Sequence, residues 1–452
     1  MKNRHLYIAI GTKHRELDAK ILFACHAAKA GYKVYVGSVS AIQKQLPYLP
    51  KGIYIKQLVT EGTAEALKKI RSYGHTICAF DEEGLVFPDP EAYKRERISA
   101  NAMEHVSKFF AWGEYQAKLV CEVIGPENAN KVVVTGHPRL DILRPEWRDF
   151  YKPQAEAYQK EHGRYILINT NFDLFNHADG REAFFERLRN AGRINSPEAE
   201  KWFRGWAAFR GRMYRCFREL VQELATQLPD KTFIIRPHPS ENHDEWRRFT
   251  KDLKNVKVIY ESAAIPWILG SDALIHNGCT TAVEAYVLGK PVISYQPFED
   301  DRYDNYLANK VGLVFTCSEK LIDLISCDFN DTTAIQEIEP TFFIESIYGT
   351  TSGAKIIRTL NTLEPTSFIL FDFLNRIAHQ AKTLKRTALG RQKSANVSKL
   401  MPKDSIQRNP GVDLNEVRNI VSKVHKLSLA FENLVVIENA SGLSVIKIAN
   451  IP

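Results

Sequence analysis

The sequence predicts an α/β protein made of two successive Rossmann-like units facing each other across a cleft, followed by a C-terminal helical and basic extension. Three observations predict it. Short apolar runs alternate with helical spacing through the first third of the chain, the alternation restarts near residue 165, and both periods are those of parallel strands buried between helices. The chain is also long enough, at 452 residues, for two or three domains, and its 44% hydrophobic and 25% charged residues form an ordinary globular balance. The expected divisions are 1–150 for the first unit, 151–365 for the second and 366–452 for the extension.

In the first unit, strands are expected at 6–10, 33–36, 76–80, 106–110 and 131–135. Helices are expected at 16–30, from the spacing of Leu17, Ile21, Leu22, Cys25 and Ala28, and at 114–123. Pro145, Pro153 and the charged residues around them read as a linker over 145–162. In the second unit the expected strands are 165–169, 232–236, 257–260, 273–276 and 292–295. A strongly helical segment, rich in Trp, Phe and Arg, covers 196–227, and a short helix is expected over 280–288. In the extension, Phe368, Phe371, Leu374, Ile377, Ala381 and Leu384 form an apolar helical stripe. Residues 366–411 hold nine Lys or Arg against two Asp, a net +7 of the chain's +8. Two readings of this region stand: a helix packed back on the first unit, and a cationic surface for anionic lipid. No nucleic-acid-binding motif accompanies the charge. The end, 434–451, reads as strand with a turn at Ala440-Ser441-Gly442, and could pair with another chain.

The opening apolar run is too short for a signal peptide, and no stretch reaches the roughly 18 apolar residues of a membrane span. Seven scattered cysteines with no C-x-x-C pair fit a reducing compartment and argue against a zinc module. A cytoplasmic location is expected, with peripheral contact to the inner membrane through 366–411 as the second reading.

Five constellations carry chemistry, and open parallel sheets place ligands at strand carboxyl ends. Glu82 and Glu83 follow a strand in Phe80-Asp81-Glu82-Glu83-Gly84; crowded carboxylates suit a general base, a solvated turn being the plain alternative. In Arg236-Pro237-His238-Pro239-Ser240-Glu241 the prolines restrict the backbone around an imidazole fit to meet a phosphate, the alternative being a Pro-rich turn. In His276-Asn277-Gly278-Cys279-Thr280-Thr281, a strand runs into a helix start where free N–H groups and two hydroxyls suit an anion. Glu284 follows one turn in, at a spacing used for a ribose; the alternative is an ordinary helix capped by Thr280 or Thr281. Asn169 and Asn171, in Asn169-Thr170-Asn171-Phe172-Asp173, offer polar groups to the cleft or form an Asx-capped turn. His137, in Val134-Thr135-Gly136-His137-Pro138-Arg139-Leu140-Asp141, borders the cleft or fixes the exit from the first unit. There is no G-x-x-x-x-G-K-[ST], the spacing over 349–355 being wrong, and no G-x-G-x-x-G, H-E-x-x-H, G-x-S-x-G or D-x-D. No cofactor or metal is therefore expected, and phosphate charge falls to Arg236, His238, hydroxyls and the helix dipole.

Together these motifs resemble glycosyltransferases of the GT-B architecture, in which a Gly-Lys-Pro-Val such as 289–292 follows a helix carrying a glutamate such as Glu284. Glu82-Glu83-Gly84 with His238-Pro239 resembles the acidic and His-Pro motifs of bacterial sialyltransferases and polysialyltransferases. The resemblance implies that the first acidic residue is the base, that His238 contacts the phosphate of CMP, and that Thr280 and Thr281 bind the same nucleotide. Residues 1–360 also resemble bacterial capsule and lipopolysaccharide biosynthesis proteins related to retaining Kdo transferases and pseudaminic acid transferases. There a covalent aspartate has its nearest counterpart in Asp173, although Asn169-Thr170-Asn171-Phe172 departs from the local pattern. The implied function is transfer of a 2-keto sugar acid (pseudaminic, legionaminic or sialic acid, or Kdo) from a CMP-linked donor to a surface glycan, the acceptor being lipid-linked in one reading. The 134–141 stretch resembles CDP-glycerol polymer transferases and UDP-GlcNAc 2-epimerases, so a polyol-phosphate transferase and a UDP-sugar transferase or epimerase stand as alternatives.

Overall fold

The computed structural model describes residues 4–87, 89–303, 307–329, 342–363, 411–439 and 442–449. It divides into two compact units: Met1–Gly84 with Arg97–Ile142 and Thr341–Pro452, and Leu85–Glu96 with Leu143–Pro340.

Unit 1 is built on β1 (Arg4–Ile10), β2 (Tyr32–Ser38), β3 (Ile53–Lys56), β4 (Thr76–Phe80), β5 (Lys108–Ala111) and β6 (Val132–Val134). These six strands run parallel in the order β2-β1-β3-β4-β5-β6. Leu6 to Ile10 are buried throughout, as a strand covered on both faces requires. The helix Lys13–Lys29 lays Leu17, Ile21, Leu22 and Cys25 into the core. β3 escapes the sequence reading because four residues ending in Lys carry little periodic signal.

Unit 2 holds β7 (Tyr165–Asn169), β8 (Thr232–Arg236), β9 (Val256–Val258), β10 (Ala273–His276), β11 (Val292–Tyr295) and β12 (Leu313–Phe315). All are parallel, in the order β12-β11-β10-β7-β8-β9. That is the doubly wound 3-2-1-4-5-6 order, whose direction reverses between β7 and β10. The helix Pro197–Gln227, capped by the Ser196 hydroxyl on the Ala199 amide at 3.1 Å, packs Phe217, Leu220, Val221 and Leu224 against Ile168, Phe172 and Ile235. β12 was not expected: it is a three-residue edge strand with Val314 exposed.

Three features differ from the sequence reading. The 145–162 segment is part of unit 2, since its helix Lys152–His162 buries Ala155 and Tyr158, and Tyr158 stacks on Trp267 at 3.8 Å between ring centroids. Its charges occupy only the outer face. The chain's end closes on itself: β13 (Leu434–Glu438) and β14 (Ser444–Ile448) form an antiparallel hairpin, and β14 pairs antiparallel with β2. This covers a sheet edge that would otherwise expose unpaired backbone groups. Finally, the expected separate extension contributes to unit 1, where the helix Leu414–Leu427, with a capping box between Asp413 and Glu416, buries Val417, Ile420, Val421 and Val424. The apolar stripe at 368–384, the basic segment 366–410 and residues 440–441 of the turn lie outside the described residues.

Candidate functional site

In unit 2 the crevice outside the carboxyl ends of β7 and β10 is the place where a doubly wound sheet takes its ligand. In-register pairing lines up Arg236, Asn169 and His276, the last residues of β8, β7 and β10, with Ser294 of β11, all buried. Asn171 and Asn277 tie the β7 and β10 loops together. The Asn171 amide donates to Asn277 Oδ1 at 2.8 Å, Asn277 Nδ2 donates to the Asn171 carbonyl at 3.2 Å, and Asn171 Nδ2 donates to the Gly278 carbonyl at 3.2 Å. Arg210, from the long helix, donates to the carbonyls of Asn171 and Asn277 at 3.2 and 2.9 Å. Sequence reasoning missed Arg210, whose guanidinium contacts lie on loops far along the chain.

Three buried polar atoms at these strand ends have no hydrogen-bond partner among the described residues: Asn169 Oδ1, His276 Nε2 and Thr281 Oγ1. His276 Nδ1 accepts the Gly278 amide at 3.0 Å, so Nε2 carries the ring proton. Burial holds this imidazole neutral, its pKa lowered to about 3. An unmatched buried donor or acceptor costs about 1–3 kcal/mol, so three at one switch point mark a place built for a polar partner. Thr281 opens the helix Thr281–Val287, but neither Thr280 nor Thr281 caps it: Thr280 is already helical and makes no side-chain capping bond. Gly278 supplies the left-handed turn (φ 81°) between strand and helix. Glu284 is buried one turn in.

The β8 loop brings His238 to Asp173, with Nδ1 to Oδ2 at 3.9 Å. The Ser240 amide donates to His238 Nδ1 at 3.2 Å, which in the neutral ring leaves Nε2 as the N–H donor. Pro239 forms the turn between them. Arg236, expected to meet phosphate, is engaged by neighbouring carbonyls and a ring. Nη1 and Nη2 donate to the carbonyls of Glu261 and Ser262 at 2.7 and 2.6 Å, its guanidinium lies over Tyr260, and burial lowers its pKa. Glu241, fully buried, binds the β7 and β8 loops together; burial raises its pKa while four neighbouring donors oppose that rise.

The acidic cluster of unit 1 is ion-paired throughout, although neither Glu82 oxygen has a hydrogen-bond partner among the described residues. Glu82, 4% exposed, lies 2.6 Å from Lys20 Nζ and 3.7 Å from His137 Nε2. Lys20 also donates to Glu16 at 2.7 Å and to the Ala9 carbonyl at 2.9 Å. Glu83 is more open, its side chain 41% exposed, and its oxygens meet Arg15 at 2.8 Å and Arg97 at 3.2 Å. Arg97 also pairs with Asp81. Cations thus answer the crowding expected among these carboxylates. Unit 1 has its own switch point, between β1 and β3, and there the Glu16 carboxylate accepts the amides of Gly11 and Thr12 at 2.7 Å each and Gln57 Nε2 at 2.8 Å. The chain's own anion occupies the nest that a phosphate would use.

The 134–141 stretch clasps the returning chain. Ser346 Oγ donates to the Thr135 carbonyl at 2.8 Å, and the Asp141 carboxylate accepts the amides of Ser352 and Gly353 at 2.9 and 2.7 Å, at the start of the helix Ser352–Asn361. A Cβ on Gly136 would overlap the Glu345 carbonyl. His137, stacked on Trp112 at 4.1 Å and 6°, is buried and neutral, its pKa lowered well below the usual value first by burial. Among the described residues no group of three or more His, Cys, Asp or Glu is placed to hold a metal ion, and no helix is long and apolar enough to cross a membrane.

No protein-family model matches the chain, and no curated protein sequence matches it. Solved structures do. The UDP-GlcNAc 2-epimerase of Neisseria meningitidis, bound to UDP-GlcNAc, is 18% identical with a TM-score of 0.50, over 79% of this chain and 100% of that one. The wall teichoic acid polymerase TagF gives 10% and 0.49 over 79% and 87%. Anabaena HepE, in complex with UDP and glucose, gives 13% and 0.39 over 85% and 99%. The likeness shows the fold, two Rossmann-like units of the GT-B class.

Proposed function

We propose that this protein is an enzyme of sugar chemistry that binds a nucleotide-activated sugar at the carboxyl ends of β7, β8 and β10. The observation that carries the reading is the set of unmatched buried polar atoms, Asn169 Oδ1, His276 Nε2 and Thr281 Oγ1, gathered at the switch point of unit 2. His238 Nε2–H then donates to a phosphate oxygen of the departing nucleotide, where charge develops as the bond to the sugar breaks. Asp173 Oδ2, 3.9 Å from Nδ1 of the same ring, borders the donor site, a role distinct from the covalent one expected from sequence. Glu284 takes the ribose.

Two observations put a UDP- or CDP-linked donor ahead of a CMP-linked 2-keto sugar acid. A structural neighbour with the same fold is bound to UDP-GlcNAc, an argument by fold analogy. The carboxylates assigned as base in the CMP reading are engaged by Lys20, Arg15 and Arg97, so proton transfer to Glu82 or Glu83 requires those pairs to open. Transfer to a glycan acceptor is the reading we adopt, with 2-epimerisation as the competing outcome.

The test is a panel of UDP-GlcNAc, UDP-glucose, CDP-glycerol, CMP-sialic acid and CMP-Kdo incubated with wild type and His238→Ala, followed by mass spectrometry of nucleotide and sugar. Nucleotide release or epimerisation from a UDP or CDP donor, lost in the variant, supports the reading. Turnover confined to a CMP donor restores the 2-keto acid assignment, and turnover unaffected by His238→Ala removes the site.

A further inference from the structure

We infer that Glu241 is a positioning residue that sets the direction of the His238 ring by locking the β7 and β8 loops into one body. The inference rests on the reading that His238 meets the donor phosphate. Glu241 has no solvent exposure, and its carboxylate accepts from donors on every side. Oε1 accepts the Thr170 hydroxyl at 2.7 Å, the Phe172 amide at 3.0 Å and the His238 amide at 3.1 Å. Oε2 accepts Trp246 Nε1 at 2.9 Å. Thr170 and Phe172 precede Asp173 on the β7 loop, and His238 lies on the β8 loop, so one oxygen fixes both carriers of the His238–Asp173 pair.

The surrounding bonds continue the same clamp. The Ala178 amide donates to the Ser240 carbonyl at 2.8 Å, the Asn242 amide to the Asn176 carbonyl at 2.8 Å, and the His238 carbonyl lies 3.0 Å from His243 Nε2. The backbone of His238 is therefore held at both N–H and C=O, and its ring at Nδ1 by Ser240. Only an acceptor-only group satisfies Glu241's position: an amide of the same shape turns one oxygen into an NH2 that faces donors. A carboxylate is an expensive group to bury, and its retention with neutral donors alone fits a demand for geometry at His238.

The experiment uses the full chain with 15N-labelled histidine, the His238 resonance being assigned by its absence in His238→Ala. Thr170→Val removes a donor to Oε1, Glu241→Gln removes the charge and one of the two acceptor oxygens, and Trp246→Phe removes a donor to Oε2 on the side away from His238. Wild type and Trp246→Phe are expected to show the single tautomer with the proton on Nε2. Glu241→Gln and Thr170→Val are expected to share the proton between the two nitrogens, and Glu241→Gln to bind nucleotide about tenfold more weakly, the loss of one charge-assisted hydrogen bond's worth of orientation. If Glu241→Gln fails to fold, Thr170→Val carries the test. A single Nε2–H tautomer and unchanged nucleotide affinity in the folded variants would overturn the inference. If wild type binds no nucleotide, the functional reading fails separately, and the ring tautomer still decides the role of Glu241.

Discussion

Replacing Lys20 by Met tests whether the acidic residues of unit 1 form a structural ion cluster. Lys20 Nζ donates to Glu16 at 2.7 Å and to the Ala9 carbonyl at 2.9 Å, and lies 2.6 Å from Glu82 as its ion-pair partner. Methionine keeps the volume of the stem and removes the charge. Glu16 retains the amides of Gly11 and Thr12 and the side chain of Gln57. Glu82 is left with His137 at 3.7 Å, a ring that burial keeps neutral. Breaking a buried pair from one side costs about 3–5 kcal/mol, because the partner charge stays behind without compensation. The assay is amide hydrogen exchange of β1, which reports the opening of unit 1 without requiring the two units to unfold together. Lys20→Met should lower its protection by about that amount, and Lys20→Met with Glu82→Leu should recover at least about 2 kcal/mol of it. A loss below about 1 kcal/mol, or a double variant no better than the single one, would refute a closed cluster and return Glu82 to the list of accessible bases.

Three further outcomes follow from the geometry. Asp141→Ala strands the buried amides of Ser352 and Gly353 and should cost about 2–4 kcal/mol, read as faster exchange of Ser352–Asn361; unchanged exchange would remove the clasp. His276 has a folded pKa depressed to about 3 by burial, so its contribution to stability is full above the unfolded value near 6.5 and is lost as pH falls through the window between them. His276→Asn should therefore flatten the loss of stability between pH 6.5 and 4.5 by about 2 kcal/mol, measured by urea titration at each pH; parallel curves would contradict a buried neutral imidazole. Thr281→Val removes an unmatched hydroxyl from the ligand crevice, and should leave the melting temperature within about 2 °C while weakening nucleotide binding about tenfold. Equal affinity would show that the hydroxyl faces no ligand.

Much of the fold is legible because parallel strands are buried on both faces and appear as unbroken apolar runs, as at Leu6–Ile10 and Phe233–Ile235. β3, a four-residue strand ending in Lys56, and the edge strand β12, with Val314 exposed, lack that signal. The end of the chain carried the right local signal and the wrong partner: the alternation at 434–448 says strand, but only tertiary pairing shows that β14 joins β2. The candidate site was legible at the level of loops. Asn171, His238, Asn277 and Thr281 do come from strand ends, where chemistry-bearing residues were sought. Their roles were less so, because a side chain's role depends on what meets it. Arg236 meets two carbonyls, Glu82 meets Lys20, and Glu241, at the end of the Arg236–Glu241 stretch, meets donors from two loops. No spacing rule announces Arg210, which reaches carbonyls from a helix more than thirty residues away in sequence.

The central claim is that a nucleotide sits at the switch point of unit 2. Hydrogen exchange of the full chain with saturating UDP, CDP or CMP tests it most directly, since a ligand that binds only the folded state slows the opening of the segments it touches. The account predicts protection by UDP or CDP at 169–173, 236–241 and 276–284, with little change at 10–16 and 56–58, where Glu16 already fills the nest. Protection confined to the β1 and β3 loops of unit 1, or no protection at the β7, β8 and β10 loops with any of the three nucleotides, would contradict it.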